Sequence, residues 1–339
     1  MEVVKLCGGV LLFFAMLAFP ETSLNAAREA MRAWYTSVAP SIFPFMALMP
    51  MLTAPGAAAV WERMLGRWMR PVLNLPGSAA PALAVGMIAG SPAGAIAAVR
   101  CPGLTRSELE RIVCCACGLS PAFLITGVGA SMLGSPADGR LLLRAQVFSQ
   151  LTMLLLTRSV RPDVPVPTAG SAHDEAPVRA AVAGVLTVCG YMMIFSVAAA
   201  LISGALRSRI AGLAALCVMD VPAGVRALSD IYMKREPRLL LISAASGFGG
   251  LCIAAQNLAV CRKCGVRAGK FMLSRLSHCA LFTAFTAAQL HLKGGSGGFF
   301  PLPLEFSALF SAVFAVPALI SLKKDLFLNK RNSAKLGGN

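Results

Sequence analysis

Charge is scarce in this chain: only 14% of its 339 residues are Asp, Glu, Lys or Arg, against about 25% in an ordinary soluble domain. That shortage excludes a water-soluble globule, because there is too little polar surface to coat one of this size. Histidine is scarcer still, with three residues, and His278 and His291 have no carboxylate or second histidine at ligand spacing. The chain also lacks G-x-x-x-x-G-K-[ST], G-x-G-x-x-G and H-E-x-x-H, and Gly90-Ser91-Pro92-Ala93-Gly94 does not have the spacing of a nucleophile elbow. It therefore reads as no enzyme, with no cofactor, no resident metal and no nucleotide-driven motor. What it has instead is 57% hydrophobic residues and a mean hydropathy of +0.71. The lipid bilayer is the expected solvent.

Acidic residues number 15 against 31 Lys and Arg, a net charge of +16. In a soluble protein that excess suggests nucleic acid. Here most of the basic residues sit in short gaps between apolar runs, where they set membrane orientation, and no nucleic-acid partner is expected. The eleven cysteines have no framework spacing. Several, such as Cys114, Cys115 and Cys117, lie inside apolar runs and read as reduced, buried small hydrophobes.

A spanning helix needs about 20 mostly apolar residues. Candidates run near 3 to 19, 36 to 56, 112 to 133, 141 to 157, 180 to 203, 239 to 260, 271 to 291 and 304 to 321, about eight crossings in an all-α polytopic membrane protein. The first also fits a signal peptide, since Lys5 precedes an apolar core and Asn25-Ala26-Ala27 offers a cleavage site. Two more apolar stretches, about 76 to 99 and 210 to 228, are interrupted by Pro-Ala-Gly and read as re-entrant hairpins. Arg63, Arg67 and Arg70 precede the first, and Arg100, Arg106 and Arg111 follow it, so both of its ends face the cytoplasm. Carried forward, the count places nineteen basic residues inside, nine outside and three within apolar stretches. The C-terminus is then cytoplasmic. Cys101 and Cys264 are expected on the inner side, and a cysteine introduced at Ser135 on the outer.

The two interrupted stretches form a repeat. Residues 88 to 95 read Ile-Ala-Gly-Ser-Pro-Ala-Gly-Ala, and residues 218 to 225 read Val-Met-Asp-Val-Pro-Ala-Gly-Val, with Pro92 and Pro222 130 positions apart. About 26 residues beyond each proline a second break follows, at Gly118-Leu119-Ser120-Pro121 and at Gly247-Phe248-Gly249-Gly250-Leu251. Three crossings separate the hairpins, so the repeats face opposite ways. Inverted repeats with broken helices are the architecture of secondary transporters. The half-helix ends leave N–H and C=O groups unpaired near the midplane, and N-terminal ends favour anions.

Ala39-Pro40-Ser41-Ile42-Phe43-Pro44-Phe45, Arg70-Pro71-Val72-Leu73-Asn74-Leu75-Pro76-Gly77 and Gly90-Ser91-Pro92-Ala93-Gly94-Ala95 resemble the YlbJ-type sporulation integral membrane proteins, within the wider group carrying the nucleoside-recognition or Gate domain. Asp220-Val221-Pro222-Ala223-Gly224 and Gly247-Phe248-Gly249-Gly250-Leu251 with Gln256 continue the likeness, which covers roughly residues 36 to 290. The chain departs from the family at Ser91, Ser120, Asp220 and Pro222, where an aromatic, Asn, Glu and Thr are usual. The resemblance implies a nucleoside-transporter-like fold with two opposed re-entrant hairpins. It also implies a place in the outer, mother-cell-derived forespore membrane, and movement of dipicolinic acid toward the forespore for the spore cortex. The implied organisation is an N-terminal helix and loop (1–35), a first Gate-like repeat (36–157), a cytoplasmic linker (158–179), a second repeat (180–291), and a C-terminal helix with a basic tail (292–339).

Substrate-binding candidates follow from the breaks: Gly90, Ser91, Pro92 and Gly94; Ser120 and Pro121; Asp220, Pro222 and Gly224; Gly249 and Gly250; and Gln256 and Asn257 just beyond. Asp220 is the sharpest, because a charge at the bilayer centre costs roughly 2.5–3.5 kcal/mol. It can bind a coupling proton or cation, meet the substrate, or cap the half-helix beginning at Pro222. Arg226 can pair with Asp230 four residues on or attract an anion. Arg144 and Arg275 are expected to snorkel to the interface. Gln146, Gln150 and Gln289 are expected to glue helices together. The leading reading is a transporter or facilitator for a small organic anion. The alternatives are a structural protein that recruits spore-envelope partners, and a nucleoside-type transporter. Oligomer formation is compatible with either.

Overall fold

The computed structural model describes residues 2–159 and 177–293. The expected crossing at 304 to 321, the basic tail and most of the linker lie outside them. Among the described residues the secondary structure is helical throughout, with no strand. The chain opens with α1 (Glu2–Ala18) and α2 (Pro20–Ala33), and α2 continues through a π-turn into α3 (Ala39–Leu52). Pro20 supplies the first-turn proline that suits a helix start. α4 (Pro55–Leu73) ends at Asn74 in the left-handed conformation, φ 52°.

The first interrupted stretch is α5 (Ala80–Ile88) followed by α6 (Ala93–Arg100), packed side by side. Its reversal at Gly90-Ser91-Pro92 includes a cis Ser91–Pro92 bond. α7 (Arg106–Cys115) starts with a capping box, in which Thr105 accepts from the Glu108 amide while Glu108 accepts from the Thr105 amide. Helical structure then stops and resumes as a π-helix at Phe123–Met132, so the expected span at 112 to 133 is two half-helices. α8 (Pro136–Leu156) is capped by Ser135, which accepts from the Asp138 amide.

The second half repeats the plan. α9 (Pro177–Ala205) leads to α10 (Arg209–Met219) and α11 (Val221–Asp230), paired side by side and broken at Asp220. α12 (Arg235–Phe248) and α13 (Gly250–Cys261) are broken at Gly249, whose φ is 83°, and α14 (Ala268–Lys293) closes the described chain.

Among the described residues, three helical stretches are long and apolar enough to cross a membrane: Pro20–Leu52, Pro177–Ala205 and Arg235–Cys264. Pro55–Leu73 with Gly77–Ile88 makes a fourth if that pair, bent by 96°, is one span. α8 and α14 have the length but carry polar groups, among them Gln146, Gln150, Arg275 and His278.

The two halves of the described chain interlock. One core joins α3, α5, α6 and α7 to α9, α13 and Phe271 of α14. The other joins the π-helix and α8 to α11, α12 and Phe282 of α14. Ion pairs clasp the halves at two ends. Buried Glu110 of α7 accepts from the Arg267 amide at 3.1 Å and lies within salt-bridge distance of Arg106, Arg267 and Lys270. At the far end of the α7 and π-helix path, Asp138 of α8 pairs with Arg235 of α12. Cys101 and Cys264 are both buried, so exposed Lys263 rather than either thiol is the place to read the side of the membrane.

Candidate functional site

Residues at or just beyond all four breaks line one cavity of about 60 Å³. Ser91 comes from the first hairpin tip, Gly118, Leu119 and Ser120 from the first broken helix, Asp220 and Pro222 from the second hairpin, and Cys252, Ile253 and Gln256 from α13. Ser41 and Ile42 of α3 and Val188 and Met192 of α9 also line it. Polar groups from both halves of the chain therefore line the cavity beside the apolar side chains of Ile42, Val188 and Met192.

Sequence reasoning placed Ser91, Ser120, Asp220, Pro222 and Gln256 together, and they line this cavity. Asn257 stands behind them, donating to Ser91 Oγ at 3.1 Å and to the Ile253 carbonyl at 3.0 Å. Its Oδ1 is buried without a partner. Gly90 supports the tip: its φ is 76°, and an added Cβ would stand 2.7 Å from the Gly118 carbonyl oxygen and 2.8 Å from the Ser120 nitrogen. Only glycine suits that position. Gly94 and Gly224 face away from the cavity and let each hairpin close on itself, against Gly86 and Cys217. Pro121 is half-buried. Gly249 makes the turn between α12 and α13, and Gly250 abuts Val221 and Met219 of the second hairpin.

Asp220 occupies the N-cap position of α11, with φ −142° and ψ 109°. Its side chain closes no cap hydrogen bond. The residue is 4% exposed. Arg226 and Asp230 lie further along α11, both exposed.

The first break exposes carbonyls that no helix satisfies, and neighbouring side chains take them up. Gln146 brackets Leu119, accepting from its amide at 3.1 Å and donating to its carbonyl at 2.8 Å. Gln150 donates to the Ala116 carbonyl at 2.6 Å. The Ser91 amide donates to the Gly118 carbonyl at 2.9 Å, and Ser91 Oγ to the Cys117 carbonyl at 3.1 Å. Gln146 and Gln150 thus glue helices as expected. Arg275 does not snorkel. It is 2% exposed and donates to the carbonyls of Cys117, at 3.0 Å, and Cys114. His278, one turn on, has Nδ1 3.0 Å from the Gly247 carbonyl at the second break.

The family model for nucleoside recognition, Gate, matches residues 35–136. Sporulation integral membrane protein YlbJ of Bacillus subtilis (strain 168) is 23% identical over 309 residues, covering 77% of this chain and 76% of that one. Both matches bear out the YlbJ-like resemblance, and with the apolar spans they mark an integral membrane protein. A solved structure described as CNTnw in an inward-facing substrate-bound state aligns over 82% of this chain and 87% of that chain, with 15% identity and a TM-score of 0.44.

Proposed function

Starting from a YlbJ-like integral membrane chain whose four broken helices converge on one cavity, we propose that the protein carries a small organic anion across the bilayer, with the hairpin tips at Ser91 and Asp220 holding it. The observation behind this reading is the cavity itself. Unwound backbone, Ser91, Ser120, Asp220 and Gln256 from both halves of the chain meet there, and broken helices near the midplane are where secondary transporters bind their solutes. In this reading both hairpins are re-entrant, residues 36–157 and 180–291 are the two repeats, and the C-terminus is cytoplasmic.

The finer reading is dipicolinic acid, moved toward the forespore across its outer membrane. Its support is the YlbJ relative, whose name places it in sporulation. A planar dianion meets N–H groups at the half-helix ends. A charged Asp220 would repel it, so proton or cation binding at that carboxyl accompanies loading. A nucleoside is the second reading, favoured by the Gate match over residues 35–136.

Binding separates the two. Dipicolinate added to the purified full-length protein should raise its melting temperature saturably, and Ser91→Leu, which fills the cavity, should remove that shift. A shift produced by uridine but not by dipicolinate would move the assignment to nucleosides.

A further inference from the structure

Buried cations in apolar surroundings are ordinarily held by a carboxylate. Among the described residues Arg275 has none: the ionisable groups near it are the thiols of Cys114, Cys117 and Cys115 and the His278 imidazole. Its two terminal nitrogens donate to the Cys117 and Cys114 carbonyls, its Nε is buried without an acceptor, and the Phe271 ring covers it at 5.3 Å. Those carbonyls belong to the end of α7, where the helix dipole is negative. Unwound carbonyls and half-helix C-terminal ends are also what secondary transporters use to coordinate a free monovalent cation.

We propose that Arg275 is a tethered cation, seated in the carbonyl cage at the end of α7 so that the first break is held without a free metal ion. Three features carry it. The guanidinium comes from the other repeat, on α14, so it also bolts the two halves together at the break. It lies alongside Ser91 Oγ on the same Cys117 carbonyl, which binds the hairpin tip to the same cage. The corresponding carbonyl at the second break, Gly247, receives an imidazole from His278 instead, so the device is confined to the first. Resting on the carrier reading for its functional meaning, the inference leaves Asp220 as the place where a coupling ion would act.

The test is the melting temperature of the purified full-length protein in sodium, lithium, potassium or choline chloride at equal ionic strength, with no solute added. With Arg275 intact and Asp220→Asn in place, which removes the cavity carboxyl that could bind a cation of its own, the protein should melt within about one degree in all four. Arg275→Gln should melt lower and recover part of the loss as sodium or lithium replaces choline, with a saturable dependence. Arg275→Lys should retain more stability than Arg275→Gln in choline. Stabilisation by sodium or lithium over choline that persists in Asp220→Asn with Arg275 intact would overturn the proposal, and that series decides even if the Gln variant fails to fold. So would Gln and Lys variants that melt alike and respond to no cation. Because no solute is present, these outcomes are independent of whether the protein transports anything.

Discussion

Asp220 shows what a single side chain contributes. It stands where an N-cap belongs but makes no cap bond, so little helix stability depends on its charge. Asp220→Asn should therefore stay within about 0.5 kcal/mol of the parent, and Asp220→Ala should lose no more than about 1 kcal/mol. Denaturation of the detergent-purified variants checks both, and a loss of 2 kcal/mol or more in the Asn variant would make the carboxylate structural. Asp220 and Ser91 were legible in the sequence because a carboxylate or a Ser-Pro within an apolar run has few structural reasons to be there. Arg275 was not. Its chemistry is set by carbonyls about 160 residues away in the chain, and nothing local to α14 distinguishes it from an arginine that reaches the interface.

At the scale of the element, the hairpins close because glycine faces backbone. A Cβ on Gly94 would lie 2.4 Å from Gly86 Cα, and one on Gly224 would lie 2.5 Å from Cys217 Cα. Backbone cannot step aside as a flexible side chain can, so Gly94→Ala and Gly224→Ala should each destabilise by about 1–3 kcal/mol. Gly56→Ala has nothing within 4 Å and should be close to neutral. Equal melting temperatures for all three would show that the hairpins do not pack as described. The Pro-Ala-Gly repeat announced both hairpins, since proline and glycine are local signals. α4 gave no such signal: its polar residues are spread among Trp61, Met64 and Trp68, so neither an apolar run nor a break marked it. Its hold on the first hairpin is tertiary. Glu62 accepts from Arg70 at 2.6 Å and from the Ser78 amide at 3.2 Å.

Across the whole molecule, the four interruptions of the helical path were legible from proline and glycine, while the interlocking of the two halves was not. Leu142 and Phe282 share a core with Val225 and Ile242, and Glu110 pairs with Arg267. Such contacts depend on which faces meet, which periodicity alone does not specify. They draw the four breaks around one cavity, so the proposed carrier function belongs to the assembled fold and to no single segment. Uptake of labelled dipicolinate into proteoliposomes, measured across pH for the parent and for Asp220→Asn, tests that function. The parent should show saturable uptake, and the Asn variant, equally folded, should lose coupled accumulation. Absence of saturable uptake by well-folded parent protein would contradict a carrier, and an Asn variant matching the parent at every pH would contradict coupling through Asp220.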